Sequence, residues 1–314
     1  MILLLESVHP DAQSILEAAD AVELVEDLAV FDPRSYGHGV RAVVTRGRGQ
    51  VDRAMMAAFP DLQVVARCGA GLDNVDTRAA AAAGVTVVHA PGLTTSAVAE
   101  HALMLMLSLS RRVVEVDGAV KAGRWNVRDG FESIELRGKR MGVVGLGAIG
   151  TRLANFGRML DMDVVCATRR QRDADVERLD LDELLATSDV VQLCVPLTES
   201  TRSIIGEAQF FAMKPGALLV NTSRGAVVDH VALADALARN SLGGYATDVW
   251  HTEPPSADDP LWSDDRVLVT PHVAGLTDVT YREICIRPAE AVSAILAGIA
   301  PDLRWVYRPP HDES

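Results

Sequence analysis

Three polar side chains stand in segments suited to acid–base chemistry: Arg224 in NTSRGAVVD (221–229), Glu253 in YATDVWHTEPP (245–255) and His272 in VLVTPHVAG (267–275). An arginine fork can grip a carboxylate through two bonds while it polarises a neighbouring carbonyl. Histidine is the usual general acid or base near neutral pH, and a carboxylate partner orients its ring and raises its pKa. Glu253 and His272 are the natural pair. His251 and His101 are rival histidines, and an isolated arginine serves equally well in a surface ion pair. Arg224 follows the aliphatic run 217–221 and His272 the run 267–270. Both then fall at the carboxyl ends of strands, the edge where open α/β sheets bind ligands.

A second constellation supplies a place for a dinucleotide. MGVVGLGAIGTRLA (141–154) sets Gly145, Gly147 and Gly150 between a strand and a helix. The first glycine permits a tight turn, the second lets backbone approach a pyrophosphate, and the third allows close strand–helix contact. The helix start then offers unpaired N–H groups and its positive dipole end to the phosphates. The next strand ends in CATRRQ (166–171). An acid that holds the ribose 2′-hydroxyl of NAD usually stands here, roughly 20 residues past the first glycine. Thr168, Arg169 and Arg170 instead offer a hydroxyl and two cations, which suits the 2′-phosphate of NADP. Asp173 and Asp175 follow closely and keep NAD open as the alternative. With this turn, the arginine, the acid and the histidine describe hydride transfer to or from a hydroxy or keto acid.

The elements that must carry these residues are short aliphatic runs between helical stretches: 2–5, 42–45, 64–66, 85–89, 141–144, 164–167, 190–194, 217–221 and 267–270. Such alternation predicts parallel sheets with helical crossovers, and continuous apolar strands predict sheets covered on both faces. At 314 residues, two domains are the natural expectation. The pattern from Ser96 to about Lys121 predicts one long helix, apolar and buried in its first half, that passes between domains. A second helix, from about Asp278 to Leu296, would carry the chain back and make the first domain discontinuous.

Composition narrows the function. The chain is 48% hydrophobic and only 4% aromatic, as in Ala/Val/Leu-rich α/β proteins, with 43 acidic against 30 basic side chains and a net charge of -13. That balance argues against broad binding of nucleic acid or anionic membranes, which needs positive surface. Cys68, Cys166, Cys194 and Cys285 form no CxxC pair and no spacing for zinc or a disulfide framework, so no metal site is expected. The start MILLLES lacks the basic leader and apolar length of a signal peptide, and no run approaches a membrane span. The expected location is the cytoplasm.

In these motifs the chain resembles the D-isomer-specific 2-hydroxyacid dehydrogenase family, which includes phosphoglycerate dehydrogenases and glyoxylate/hydroxypyruvate reductases. The likeness runs through RCGAGLDNVD (67–76), SAVAEHALMLML (96–107), GRW (123–125), ELRGKRMGVVGLGAIG (135–150), LDELLATSDVVQLCVPLTEST (181–201), MKPGALLVNTSRGAVVD (213–229), DVWHTEP (248–254) and TPHVAG (270–275). It implies an α/β fold of two Rossmann-like, doubly wound parallel-sheet domains flanking a cleft. A flavodoxin-like substrate domain would span 1–97 plus 285–314, and a dinucleotide-binding domain 98–284. It also implies that Arg224 binds the substrate carboxylate and carbonyl, that Glu253 orients His272, and that His272 exchanges the proton. Backbone at Ala70 and Gly71 would hold the carboxylate. Ala148 and Ile149 would meet the pyrophosphate, Cys194 and Pro196 the adenosine half, and Asp248 the nicotinamide amide, while Thr222, His272 and Gly275 would line the coenzyme site.

Most members carry Asp where Thr168 stands; those with a small polar residue followed by Arg tend to use NADP. Glu253 argues against the formate-oxidising branch. A chain ending at Ser314 would lack the regulatory C-terminal domain of many phosphoglycerate dehydrogenases, an expectation that weakens a role in serine synthesis. Arg46 and Arg48, in VVTRGRGQVD (43–52), are candidates for a phosphate or hydroxyl of a larger substrate, or are solvated loop charges. The leading expectation is an NADPH-preferring reductase of glyoxylate or hydroxypyruvate, acting as a homodimer through the helix from Ser96. The alternatives are an NAD-linked D-hydroxyacid or phosphoglycerate dehydrogenase and a non-catalytic dinucleotide-sensing protein.

Overall fold

A computed structural model describes residues 1–169 and 175–309. The chain divides into two compact units, Met1–Thr94 together with Leu276 onward, and Thr95–Gly275. The first is discontinuous, as the return helix requires. Its second boundary precedes the helix Asp278–Leu296, which belongs whole to the first unit and is not cut at 284/285. The reason is packing: Ile284, Cys285, Ile286, Ala289 and Val292 of this helix all enter the first unit's core.

The first unit is a five-stranded parallel sheet of β1 (Ile2–Leu4), β2 (Val22–Leu24), β3 (Ala42–Thr45), β4 (Val64–Arg67) and β5 (Thr86–Val88), in the order β2-β1-β3-β4-β5. This is the flavodoxin-like order. Period-two alternation explains the unbroken apolar runs: Ile2 and Leu4 enter one core with the helix Asp278–Leu296, while Leu3 and Leu5 enter the other with Met55 and Phe59.

The second unit is a seven-stranded parallel sheet of β6 (Arg140–Val144), β7 (Asp163–Ala167), β8 (Glu177–Arg178), β9 (Val190–Leu193), β10 (Ala217–Asn221), β11 (Leu242–Thr247) and β12 (Val267–Val269). Its order, β12-β11-β10-β9-β6-β7-β8, is the Rossmann arrangement with one added edge strand. The order reverses between β6 and β9. The carboxyl end of β6 is therefore the switch point, where such sheets hold ligands.

The helix expected from Ser96 to Lys121 is two helices, Thr95–Ser110 and Val113–Lys121. Arg112 between them takes a left-handed φ of 53°, which ends one helix and starts the next. Its guanidinium grips both oxygens of Glu115 at 2.7 and 2.6 Å, a bond that secures the new first turn. The first helix buries Leu105 and Met106 against Met141, Val143 and Val220 of the second sheet. Leu105 is 0% exposed. Leu105→Ala should therefore cost about 2–5 kcal/mol in denaturant unfolding, from lost transfer energy and an unfilled cavity. A loss below about 1 kcal/mol would mean that this face of the sheet is not closed by the helix.

Candidate active site

The glycine turn follows β6 directly, and close contacts demand glycine at Gly145 and Gly150. Gly145 has φ 95°, and a Cβ on it would meet the Cys194 carbonyl oxygen at 2.7 Å. A Cβ on Gly150 would sit 2.1 Å from the Gly145 carbonyl oxygen, so only glycine lets the helix approach the turn. A Cβ on Gly147 would meet nothing within 4 Å. Gly147 caps the helix Ala148–Met159 without a side-chain bond, and the first intrahelical bond runs from Thr151 N to Gly147 O at 2.9 Å. Open space over helix N–H groups fits the pyrophosphate of a dinucleotide. Ile149 packs inward against Ala99, Ala102 and Leu153, while Ala148 stays exposed at the turn.

The segment expected to set coenzyme preference lies beside this turn, for Gly145 N donates to Ala167 O at 2.8 Å, one residue before Thr168. Thr168 is half-buried and Arg169 exposed. Arg170 and Asp173 lie outside the described residues. Asp175 is exposed, and its carbonyl accepts from the Arg158 guanidinium. Across the switch point, Cys194 N donates to Val144 O at 2.8 Å. Burial pushes the Cys194 thiol up to about 12, so it stays protonated and acts as an apolar wall.

The acid–base residues are assembled by three loops. Asn221, at the end of β10, is fully buried; its amide donates to Arg224 O at 2.9 Å, and its Oδ1 accepts from Ser223 N and Oγ at 3.0 and 2.8 Å. This shapes the turn that presents Arg224, whose Nη1 donates to Ser223 O at 2.7 Å. At Gly225 a Cβ would fall 1.9 Å from Trp250 O, so the glycine lets the Arg224 loop lie against the loop that bears Glu253. Glu253 accepts from Trp250 N through Oε1 at 3.0 Å and pairs with His272 Nδ1 through Oε2 at 2.7 Å. The expected pair is thus in hydrogen-bond contact. With Nδ1–H committed to the carboxylate, Nε2 is the ring atom left to exchange a proton with a ligand.

His272 adopts φ 56°, a left-handed conformation costly for a non-glycine residue. Asp248 fixes it. His272 N donates to Asp248 O at 2.8 Å, while the Asp248 carboxylate accepts from Thr270 Oγ1 at 2.6 Å, Val273 N at 2.9 Å and Ala274 N at 2.8 Å. Asp248 is buried, and with three donors on its oxygens it anchors the turn; one further lone pair would remain for the nicotinamide amide expected there. His101, weighed as a rival base, also lies in this network, with Nε2 2.8 Å from Thr270 Oγ1 and 3.5 Å from Asp248 Oδ1. Sequence reasoning missed this supporting role of His101 and Thr270, because no local pattern links positions 169 residues apart. Thr222 and Gly275 are half-buried on the same loops, and Pro196 is exposed beyond β9.

In the first unit, Ala70 and Gly71 are half-buried in the loop after β4, with Ala70 O 2.9 Å from His89 Nδ1. Arg46 donates to Tyr281 Oη at 3.2 Å, and its Nε lies 3.7 Å from Glu6 Oε2. Glu6 Oε1 accepts from Arg46 N, Gly47 N and Arg48 N at 3.0, 2.8 and 2.6 Å. The loop that holds both arginines is thus wrapped around an internal carboxylate, while the Arg48 residue itself is exposed.

The family model for the D-isomer specific 2-hydroxyacid dehydrogenase NAD-binding domain matches residues 103–274, over half of the chain. The chain belongs to this family. It is 39% identical to the D-3-phosphoglycerate dehydrogenase of Archaeoglobus fulgidus over 82% of this chain and 50% of that protein. The chain therefore spans about half the length of the curated phosphoglycerate dehydrogenases it matches. It is 36% identical to the glyoxylate reductase of Aeropyrum pernix, over 83% of this chain and 81% of that one. Its fold is similar to an NADPH-dependent glyoxylate/hydroxypyruvate reductase of Sinorhizobium meliloti solved with NADP and malonate, with TM-score 0.86, 27% identity and 98% coverage of both chains. The matched segment is the family's NAD-binding domain. Among the described residues, no helix is long and apolar enough to cross a membrane.

Glu253 is held below the usual carboxylate range. Burial alone would raise it, but the hydrogen bond and charge of His272, the Trp250 amide and the Arg224 charge outweigh burial. A depressed folded pKa stabilises the fold above the unfolded value of about 4.3, and that contribution is lost as pH falls through the folded value. The stability advantage of the wild type over Glu253→Gln should accordingly be full near neutral pH and fade below about pH 4. A difference constant from pH 3 to 7 in denaturant unfolding would contradict the pairing.

Proposed function

We propose that the protein is an NADPH-preferring reductase of small 2-keto acids, of the glyoxylate and hydroxypyruvate kind, that forms D-2-hydroxy acids. The observation that carries this reading is the 2.7 Å Glu253–His272 pair beside Arg224, on the same unit as the open glycine turn. The coenzyme, when bound at that turn, supplies the hydride. Protonated at both nitrogens, His272 donates from Nε2 to the forming alkoxide, while its Nδ1–H stays on Glu253 and spreads the charge change over the pair. Arg224 grips the carboxylate and stabilises the negative charge that develops on the neighbouring oxygen. Oxidation reverses each role.

The preference for NADPH is supported by Thr168 and Arg169, which follow β7 next to the glycine turn with no carboxylate between Ala167 and Arg169. A guanidinium and a hydroxyl favour a phosphate dianion over a ribose hydroxyl. The second reading, an NAD-linked D-hydroxyacid or phosphoglycerate dehydrogenase, is favoured by Asp175, which is tied to the coenzyme-side helix through Arg158. We further infer a homodimer, because Met104, Leu107, Val113, Val114 and Trp125 leave apolar surface exposed along the paired helices and just beyond them.

The deciding assay follows reduction of glyoxylate, hydroxypyruvate, pyruvate and phosphohydroxypyruvate with each coenzyme. We expect kcat/KM with NADPH at least about tenfold above that with NADH, a difference of about 1.4 kcal/mol, and Thr168→Asp should narrow or reverse it. Equal use of both coenzymes by the wild type would sink the preference.

Arg224→Ala should lower kcat/KM on the order of a hundredfold or more, about 3 kcal/mol, because a substrate carboxylate loses its charge partner. Turnover near that of the wild type would place the site elsewhere.

A further inference from the structure

We propose that His230, His251 and Asp259 form a binding site for one divalent transition-metal ion of the zinc class, separate from the Glu253–His272 pair. Their ligand atoms all lie within 4.8 Å of one another. His230 opens the helix His230–Ala238, His251 stands in the loop after β11, and Asp259 caps the short turn Pro260–Ser263, so three separate segments converge. His230 Nε2 is 3.1 Å from Asp259 Oδ2, and the two imidazole rings stack with centroids 3.8 Å apart at 25°. Two ligands bound tetrahedrally at 2.0–2.1 Å lie about 3.4 Å apart, a spacing His230 and Asp259 already approach, while the exposed His251 ring would have to rotate out of its stack to aim a lone pair at the same ion.

The donor set and its surroundings favour an ion over an ordinary ion pair. Two imidazoles and one carboxylate suit zinc, copper or nickel, and a three-ligand set leaves a fourth position for water. The Asp259 carboxylate is buried and already oriented, with Trp250 Nε1 donating to Oδ2 at 2.9 Å and Leu261 N to Oδ1 at 3.1 Å. Such outer partners hold metal-binding carboxylates in place.

The site would brace the loop that carries Glu253. His251 is two residues from Glu253, and Trp250, whose backbone N–H holds Glu253 Oε1, is the same residue whose indole holds Asp259. An ion that joins the helix start at His230 to His251 would fix both ends of this connection.

The test is titration of the chelator-stripped full chain with Zn²⁺ alone, read by calorimetry and by tryptophan fluorescence. Trp250 and Trp262, stacked at 4.7 Å beside the cluster, are the local reporters. We expect one equivalent bound per chain, a higher unfolding temperature with Zn²⁺, and at least a tenfold weaker Kd in His251→Ala. His251 is exposed, so that variant should keep the fold, which circular dichroism checks. Asp259→Asn should weaken binding as well. No binding to the wild type at micromolar Zn²⁺, or unchanged affinity in His251→Ala, would overturn the site. Because the readout is binding and not turnover, its failure is distinguishable from failure of the proposed reaction.

Discussion

The arrangement of the acid–base residues depends on one buried charge. Asp248, at the end of β11, places its carboxylate where water does not reach and meets the cost with Thr270, Val273 and Ala274 as donors. A buried carboxylate is tolerable only when its oxygens are bonded, and each bond removes a freedom from the turn that supplies it. Three donors from a five-residue stretch leave that turn one shape. In that shape His272 is left-handed, with its N–H on the Asp248 carbonyl, and its ring meets Glu253. The strain at His272 is held by bonds that the histidine itself does not make with its side chain.

Close backbone contact is the second constraint, and glycine is the means. Gly225 brings the Arg224 loop against Trp250, and Gly150 brings the phosphate-side helix against Gly145. In both places a methyl group would overlap a carbonyl oxygen, a clash that no rotamer relieves. The same residue type therefore builds two sites of different chemistry. One approach joins a cation to the Glu253–His272 pair, and the other exposes helix N–H groups to an anion.

Much of this was legible because it is local. The Gly145 turn, the strand ends that bear Arg224 and His272, and the apolar runs of both sheets appear as consecutive residues. What escaped is non-local or runs against propensity. β11 reads poorly as a strand because LGGYAT carries two glycines, yet both are needed: a Cβ on Gly243 would strike Gly216, and one on Gly244 would press on Leu109 of the packed helix. β2 and β8 are three- and two-residue edges, too short to leave a pattern. The break at Arg112 has no glycine or proline to announce it. His101 supports Thr270, and His230 meets Asp259, across distances that no spacing rule spans.

The electrostatics of the pair follow from the same geometry. Glu253 is bonded by His272 and by the Trp250 amide, and the Arg224 charge reaches it; together these outweigh the burial that opposes its ionisation. A carboxylate kept ionised in this way holds His272 Nδ1–H in place in either protonation state of the ring. In the proposed reaction the proton that changes hands is then confined to Nε2, so orientation and reactivity are set by separate nitrogens. If Glu253 were neutral, its bond to His272 could form in either direction, and the ring would lose the tautomer that exposes Nε2. Thus the Arg224 charge, besides the grip on a substrate carboxylate proposed for it, helps to keep the internal carboxylate in the form that orients the His272 ring.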